Sequence, residues 1–128
     1  MSKSEQAISC FRSGLNCAQA TLLPFAEDLG LDKETALRMA AAFGRGLRCG
    51  EICGAAAGAA MVMGLKYGQR TEDDNEAKAD CYARIEAFME AFRIENGSLL
   101  CRDILVGASP RLRCEKAVAF AANAIEQA

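Results

Sequence analysis

The chain contains no histidine, which removes the side chain most often used as general base, proton shuttle and metal ligand near neutral pH. Chemistry in this protein therefore rests on thiols, carboxylates and backbone dipoles. Prolines number 2 in 128 residues, and no proline-rich linker, low-complexity tract or convincing repeat divides the chain, so one compact domain over 1–128 is expected. Alternating β-branched runs are absent, which argues against a sheet. No excess of one charge exists either: 15 basic residues against 17 acidic ones leave −2. That balance excludes the broad basic footprint of a nucleic-acid or anionic-membrane binder. The longest apolar-plus-glycine run, residues 55–65, falls short of the roughly 18 residues that suggest a membrane span. The polar start, Met1-Ser2-Lys3-Ser4-Glu5-Gln6, lacks the apolar stretch and cleavage site of a secretion signal. A cytoplasmic protein with no membrane insertion is the expectation.

What is present reads as helix. Alanine, leucine and glutamate, all good helix formers, are abundant, and glycine, asparagine and proline punctuate the chain at helix-length intervals. The pattern predicts an all-α fold of six or seven short helices. The first spans about 4–13 and ends at Gly14. Asn16 caps a second helix through about Leu29, stopped by Gly30, and Asp32 caps a third to about Phe43. After the loop Gly44-Arg45-Gly46, which lacks the lysine and hydroxyl residue of a phosphate loop, a small-residue helix runs from about Glu51 to Tyr67. Thr71 and Asp74 suggest a capping box for a long helix ending near Asn96-Gly97. Ser98 caps a short helix through Val106, and Ser109-Pro110 supplies N-cap and first residue of the last one. On the long helix, Cys81, Ile85, Phe88, Met89 and Phe92 recur at helical spacing as a core-facing stripe.

Seven cysteines are an odd count, below the density of a disulfide scaffold, and in a reducing compartment they point to free thiols, metal ligands or redox pairs. Four stand in motif-like contexts: Cys17 after Asn16, Cys53 in Gly-Glu-Ile-Cys-Gly-Ala-Ala-Ala-Gly, Cys101 in Cys-Arg-Asp, and Cys114 in Leu-Arg-Cys-Glu. Read against the predicted caps, these thiols lie in or near the first turns of four helices. Unpaired N–H groups and the positive dipole end there lower a thiol pKa and favour bound negative charge, which suits thiolates on a metal or cluster. Their dispersed spacing requires the fold to assemble any shared site. Cys49 and Cys53 form a C-x3-C pair in which Cys49 could resolve a disulfide, ligate or stand by; Cys10 and Cys81 read as packing residues. Glycines 50, 54 and 58, four apart, form a ridge that admits a neighbouring helix or leaves room for a prosthetic group. Arg45, Arg48, Arg111 and Arg113 could stabilise a thiolate or an anionic group, or simply be solvated. Glu51 could move a proton or serve a helix start.

The run Asn16-Cys17-Ala18-Gln19-Ala20, then Gly50-Glu51-Ile52-Cys53-Gly54-Ala55-Ala56-Ala57-Gly58, then Cys101-Arg102-Asp103-Ile104-Leu105, then a last cysteine, resembles the family named for its C, GCAxxG, C, C pattern. That family is described as redox-active, with recurring cysteines thought to hold a prosthetic group such as an iron-sulfur cluster, and a related domain occurs in split-Soret cytochromes. The resemblance covers nearly the whole chain and implies an electron-transfer protein in which Cys17, Cys53, Cys101 and Cys114 are metal ligands, with Gly54 and Gly58 against the group. Cys49 departs from the pattern. Two alternatives stay open: thiol–disulfide chemistry in which Cys53 attacks and Cys49 or another cysteine resolves, although no C-x-x-C motif is present, and a non-enzymatic module whose four cysteines hold structural zinc. A redox partner protein is implied in the first case, and the amphipathic helices permit a homodimer.

Overall fold

Polar side chains start most of the helices, and glycines stop several of them. The structure, a computed structural model, describes residues 1–128. Seven helices follow one another: α1 (Lys3–Arg12), α2 (Cys17–Ala26), α3 (Lys33–Ala40), α4 (Gly54–Tyr67), α5 (Asn75–Asn96), α6 (Cys101–Ile104) and α7 (Pro110–Gln127). There is no strand, only an isolated antiparallel bridge between Ile52 and Leu100. Two side chains close reciprocal capping boxes: Ser2 with Glu5 on α1, and Asn16 with Gln19 on α2. Asp32 accepts the Thr35 N–H and caps α3. At the other end of α5, Gly97 takes φ 83°, a left-handed stop that suits glycine best.

Several boundaries differ from expectation, each for a local reason. α1 starts at Lys3 because Ser2 is its cap. α2 and α3 stop early and tighten into 3-10 turns, Glu27–Leu29 and Ala41–Phe43. α4 begins at Gly54, not near Glu51, because Ile52 is committed to its bridge with Leu100. The cap of α5 is Asp74, whose carboxylate accepts from the Ala77 N–H, while the Thr71 hydroxyl donates to Asp73. Ser98 does not cap α6: its hydroxyl accepts from the Leu100 N–H and donates to Asp103, and the helix is only four residues long. Pro110 opens α7 as expected, but Ser109 has φ 55° and makes no side-chain cap.

α2 and α4 form the centre of the fold, with α1, α3 and α7 around α2, and α5 and α7 against α4. Alanines make this possible: Ala18, Ala20, Ala55, Ala56, Ala59, Ala121 and Ala122 are fully buried, so the helices approach closely with little side-chain entropy lost. Leu22, Val62, Phe92, Val118 and Ile125 supply the bulk between them. Phe88, Phe92 and Phe120 pack as a trio, with ring centroids 5.9 to 6.4 Å apart, and fasten α5 to α7. The polar Thr21 is fully buried but bonds to the Cys17 carbonyl at 2.8 Å. No helix is long and apolar enough to cross a membrane.

Candidate functional site

Four segments bring four thiols to one place. Cys17 is the first residue of α2, and the cap behind it also anchors it sideways: Asn16 Nδ2 donates to the carbonyls of Ala40 and Ala41, both at 3.2 Å, and Gln19 Nε2 donates to Leu37 at 3.0 Å. The start of α2 is thereby tied to the end of α3. Cys53 and Cys101 are held by a two-bond clip around the Ile52–Leu100 bridge. The Cys53 N–H donates to the Leu99 carbonyl and the Cys101 N–H to the Glu51 carbonyl, both at 2.7 Å. Cys53 occupies the N-cap position of α4, and Cys101 is the first residue of α6. Cys114 lies one turn inside α7.

Between α3 and the clip, the backbone makes a left-handed turn: Arg45, Gly46, Leu47 and Arg48 have φ of 53, 60, 60 and 65°. Three of these are not glycine, and each such residue costs about 1–2 kcal/mol relative to right-handed backbone. The turn is closed by the Glu51 N–H donating to Gly46 at 3.1 Å. It carries Arg45 and Arg48 over the thiols.

Cys17, Cys53, Cys101 and Cys114 line one cavity of about 210 Å³, together with Phe11, Ile104, Leu105, Gly54, Arg45 and Arg48. Cys53 and Cys101 are buried, and Cys17 and Cys114 are partly so. The other three cysteines lie elsewhere. Cys49 is exposed, with its thiol donating to Gly46 at 3.4 Å. Cys81 on α5 donates weakly to the Met63 carbonyl at 3.9 Å, and Cys10 packs at the edge of the core. Gly58 is not part of the cavity wall. A β-carbon there would meet the Ala18 carbonyl and Thr21, so its lack of a side chain serves the α2–α4 contact. Gly54 lines the cavity but is also pressed on α2, where a β-carbon would lie 3.1 Å from the Ala18 nitrogen and from Cys17 Cβ. Arg111 stacks over the Phe11 ring at 4.8 Å, and Arg113 donates to the Ala108 carbonyl.

The thiols differ electrostatically. Hydrogen bonding between the Cys17 and Cys114 sulfurs holds Cys114 down to about 7, with Arg111 and Arg45 assisting against the effect of burial. The same contact, followed by burial, pushes Cys17 well above the ordinary thiol range. The two share one proton and titrate as a pair. Burial pushes Cys53 up to about 11, opposed by the N–H groups of Ala55 and Ala56 at the start of α4. Burial and then the nearby Cys114 raise Cys101, opposed by Arg45.

No three cysteine or acidic side chains stand as a ready ligand set for one metal ion; the sulfurs ring the cavity instead of converging on a point. The donor chemistry nevertheless fits an iron-sulfur group: four thiols, several at helix starts, with cationic side chains to balance thiolate charge. The apolar wall of Phe11, Ile104 and Leu105, the cross-bonds of Asn16 and the backbone clip escaped the sequence reading. A signal for the clip existed, since Ile52-Cys53 and Leu100-Cys101 share the same apolar-cysteine step.

No curated protein and no solved structure matches the chain. The profile of one family does, over residues 15–128. That span contains all four cavity cysteines, and with nearly the whole chain covered the protein belongs to the family described as "Putative redox-active protein (C_GCAxxG_C_C)".

Proposed function

We propose that the protein is an electron carrier in which Cys17, Cys53, Cys101 and Cys114 hold an iron-sulfur centre. The observation that carries this reading is the meeting of these four thiols, from four separate segments, around one cavity. When bound, such a centre supplies reversible one-electron chemistry at a potential set by charge, hydrogen bonds to sulfur and exposure. The chain's part is to release thiol protons, hold four sulfurs and exclude water. The N–H groups of Ala55 and Ala56 at the Cys53 sulfur offset part of the burial that keeps it protonated, which eases loss of its proton to a bound metal. Arg45, near Cys101 and Cys114, offsets negative charge, and Phe11, Ile104 and Leu105 keep the wall apolar. A single zinc would draw four sulfurs to about 2.3 Å from one point, whereas an iron-sulfur centre spreads its ligands over several iron atoms. A redox partner protein would exchange the electron.

One observation favours a second reading. Cys17 and Cys114 line the same cavity, and Cys17 holds Cys114 down toward neutral, which suits a dithiol that closes: Cys114 thiolate and Cys17 thiol become a disulfide, giving up two electrons and the remaining proton to an oxidised partner. This pair replaces Cys53 with Cys49, since Cys49 lies outside the cavity. Anaerobic purification with iron, zinc and sulfide analysis and a visible spectrum separates the readings. Stoichiometric iron and sulfide with charge-transfer bands support the centre. Metal-free protein with a reversible Cys17–Cys114 disulfide supports the dithiol, and zinc without sulfide overturns both.

A further inference from the structure

Outside the thiol cavity, and sharing part of its wall, lies an open hollow of about 470 Å³ lined by Arg45, Arg48, Arg102, Cys49, Cys101 and Leu105, with Gly50 at its edge. Three guanidiniums and no carboxylate line it. Arg102 is partly engaged: one nitrogen donates to the Gly50 carbonyl at 3.4 Å and to Glu51 at 3.1 Å, which leaves its remaining N–H groups free. Arg45 and Arg48 form no salt bridge. They sit on the left-handed turn and line the same hollow as Arg102.

We infer that this hollow binds a small molecule bearing carboxylate or phosphate oxygens. Arginine forks match such oxygens two at a time, and three forks around one hollow suit a compact ligand with more than one anionic oxygen pair. Arg45, Arg48, Leu105 and Cys101 line both spaces, so a bound anion lies against the wall of the thiol cavity. The inference rests on the hollow's own residues and not on what the thiols hold.

Cys49 provides a reporter inside the hollow. Its alkylation by anionic iodoacetate and by neutral iodoacetamide, each forming an S–C bond with loss of iodide, is measured by mass spectrometry on the folded and on the denatured chain. The ratio of the two rates at Cys49 is expected to rise about tenfold on folding, the low end of the enrichment that a focused positive field produces. Citrate or inorganic phosphate, at an ionic strength held constant with chloride, is expected to slow both reagents saturably. Stronger protection by citrate assigns a carboxylate ligand, and stronger protection by phosphate a phosphate ligand. Arg45→Gln, Arg48→Gln and Arg102→Gln should each lower the ratio several-fold with unchanged circular dichroism. Where one glutamine variant misfolds, the wild-type protection experiment decides. A ratio unchanged by folding, or protection no better than that of chloride, overturns the inference. Iron and sulfide measured on the same samples keep this result apart from the fate of the redox reading, because a metal-free protein that still discriminates loses the centre and keeps the anion site.

Discussion

A β-carbon added at Gly58 would sit 2.7 Å from the carbonyl oxygen of Ala18, so α4 lies on the first turns of α2 along a line with no room for a side chain. Gly64, in the same helix, faces open space. The two glycines should answer the same substitution with opposite signs. Gly58→Ala is expected to destabilise the fold by about 1–3 kcal/mol through overpacking, and Gly64→Ala to stabilise it by roughly 0.5–1 kcal/mol through lower unfolded-state entropy. Denaturant midpoints of the two variants check this; equal shifts would contradict the α2–α4 contact.

Cys53→Ser and Cys81→Ser separate ligand from scaffold. In protein found to contain iron and sulfide, Cys53→Ser should lose most of both while keeping its helical circular dichroism, since the alanine-rich core does not depend on that sulfur. Cys81→Ser should keep both and lose at most about 1 kcal/mol, because the hydroxyl inherits a weak acceptor at Met63. Iron retained in the first and lost in the second would reverse the assignment.

Reduced, metal-free protein should show opposing pH effects. Cys114 is held down to about 7, so its contribution to stability is present above the ordinary thiol value and is lost as pH falls through 7. Cys53 is pushed from 9.0 up to about 11, so the unfolded chain gives up that proton first and stability falls as pH rises from 9 to 11. The alkaline loss from this one buried thiol is roughly 2–3 kcal/mol. Guanidinium unfolding at pH 7, 9 and 10.5 measures the profile; Cys17 and Cys101 are raised as well and keep part of the alkaline fall, so Cys53→Ser should make that fall shallower, and an unchanged slope in that variant would refute the cause.

Asn16→Ala should cost more than Asp32→Ala. Either change removes a helix cap worth about 1 kcal/mol, but Asn16 also donates to Ala40 and Ala41 across to α3. Losing those bonds removes the side-chain donor of the part-buried Ala40 carbonyl, and thermal melting of the two variants should rank them in that order.

The features legible in the sequence were those decided locally. Asn16 and Asp32 cap with their own side chains, Gly30 and Gly97 stop helices with left-handed backbone, and the Phe88–Phe92 stripe follows from helical period alone. What escaped depended on distant partners. Ser98 and Thr71 read as caps because their neighbours fit the pattern, yet Ser98 is claimed by Leu100 and Asp103 and Thr71 by Asp73. Glu51 and Ile52 read as helix because nothing near them forbids it, and only Leu99 and Leu100, some fifty residues on, make them extended. The left-handed Arg45–Arg48 turn had no local sign beyond two glycines. The cysteines stood out by context, but the cavity they share depends on that clip, and no spacing rule describes it.

The clip has a mechanical consequence. Cys53 and Cys101 cannot part without breaking a pair of 2.7 Å backbone bonds, and Cys17 is moored to α3 through Asn16. Together they form a fixed jaw. Cys114 rides instead on α7, reached through the left-handed Ser109, and its neighbour Glu115 is latched to α1 by a two-point bridge with Arg12 at 2.9 and 3.1 Å. The fourth sulfur is therefore held to its surroundings by side-chain packing and an ion pair, its arginine largely exposed and its glutamate mostly covered, and not by a backbone clip. Salt weakens such a pair, so of the four thiols Cys114 is the one whose placement answers to ionic strength.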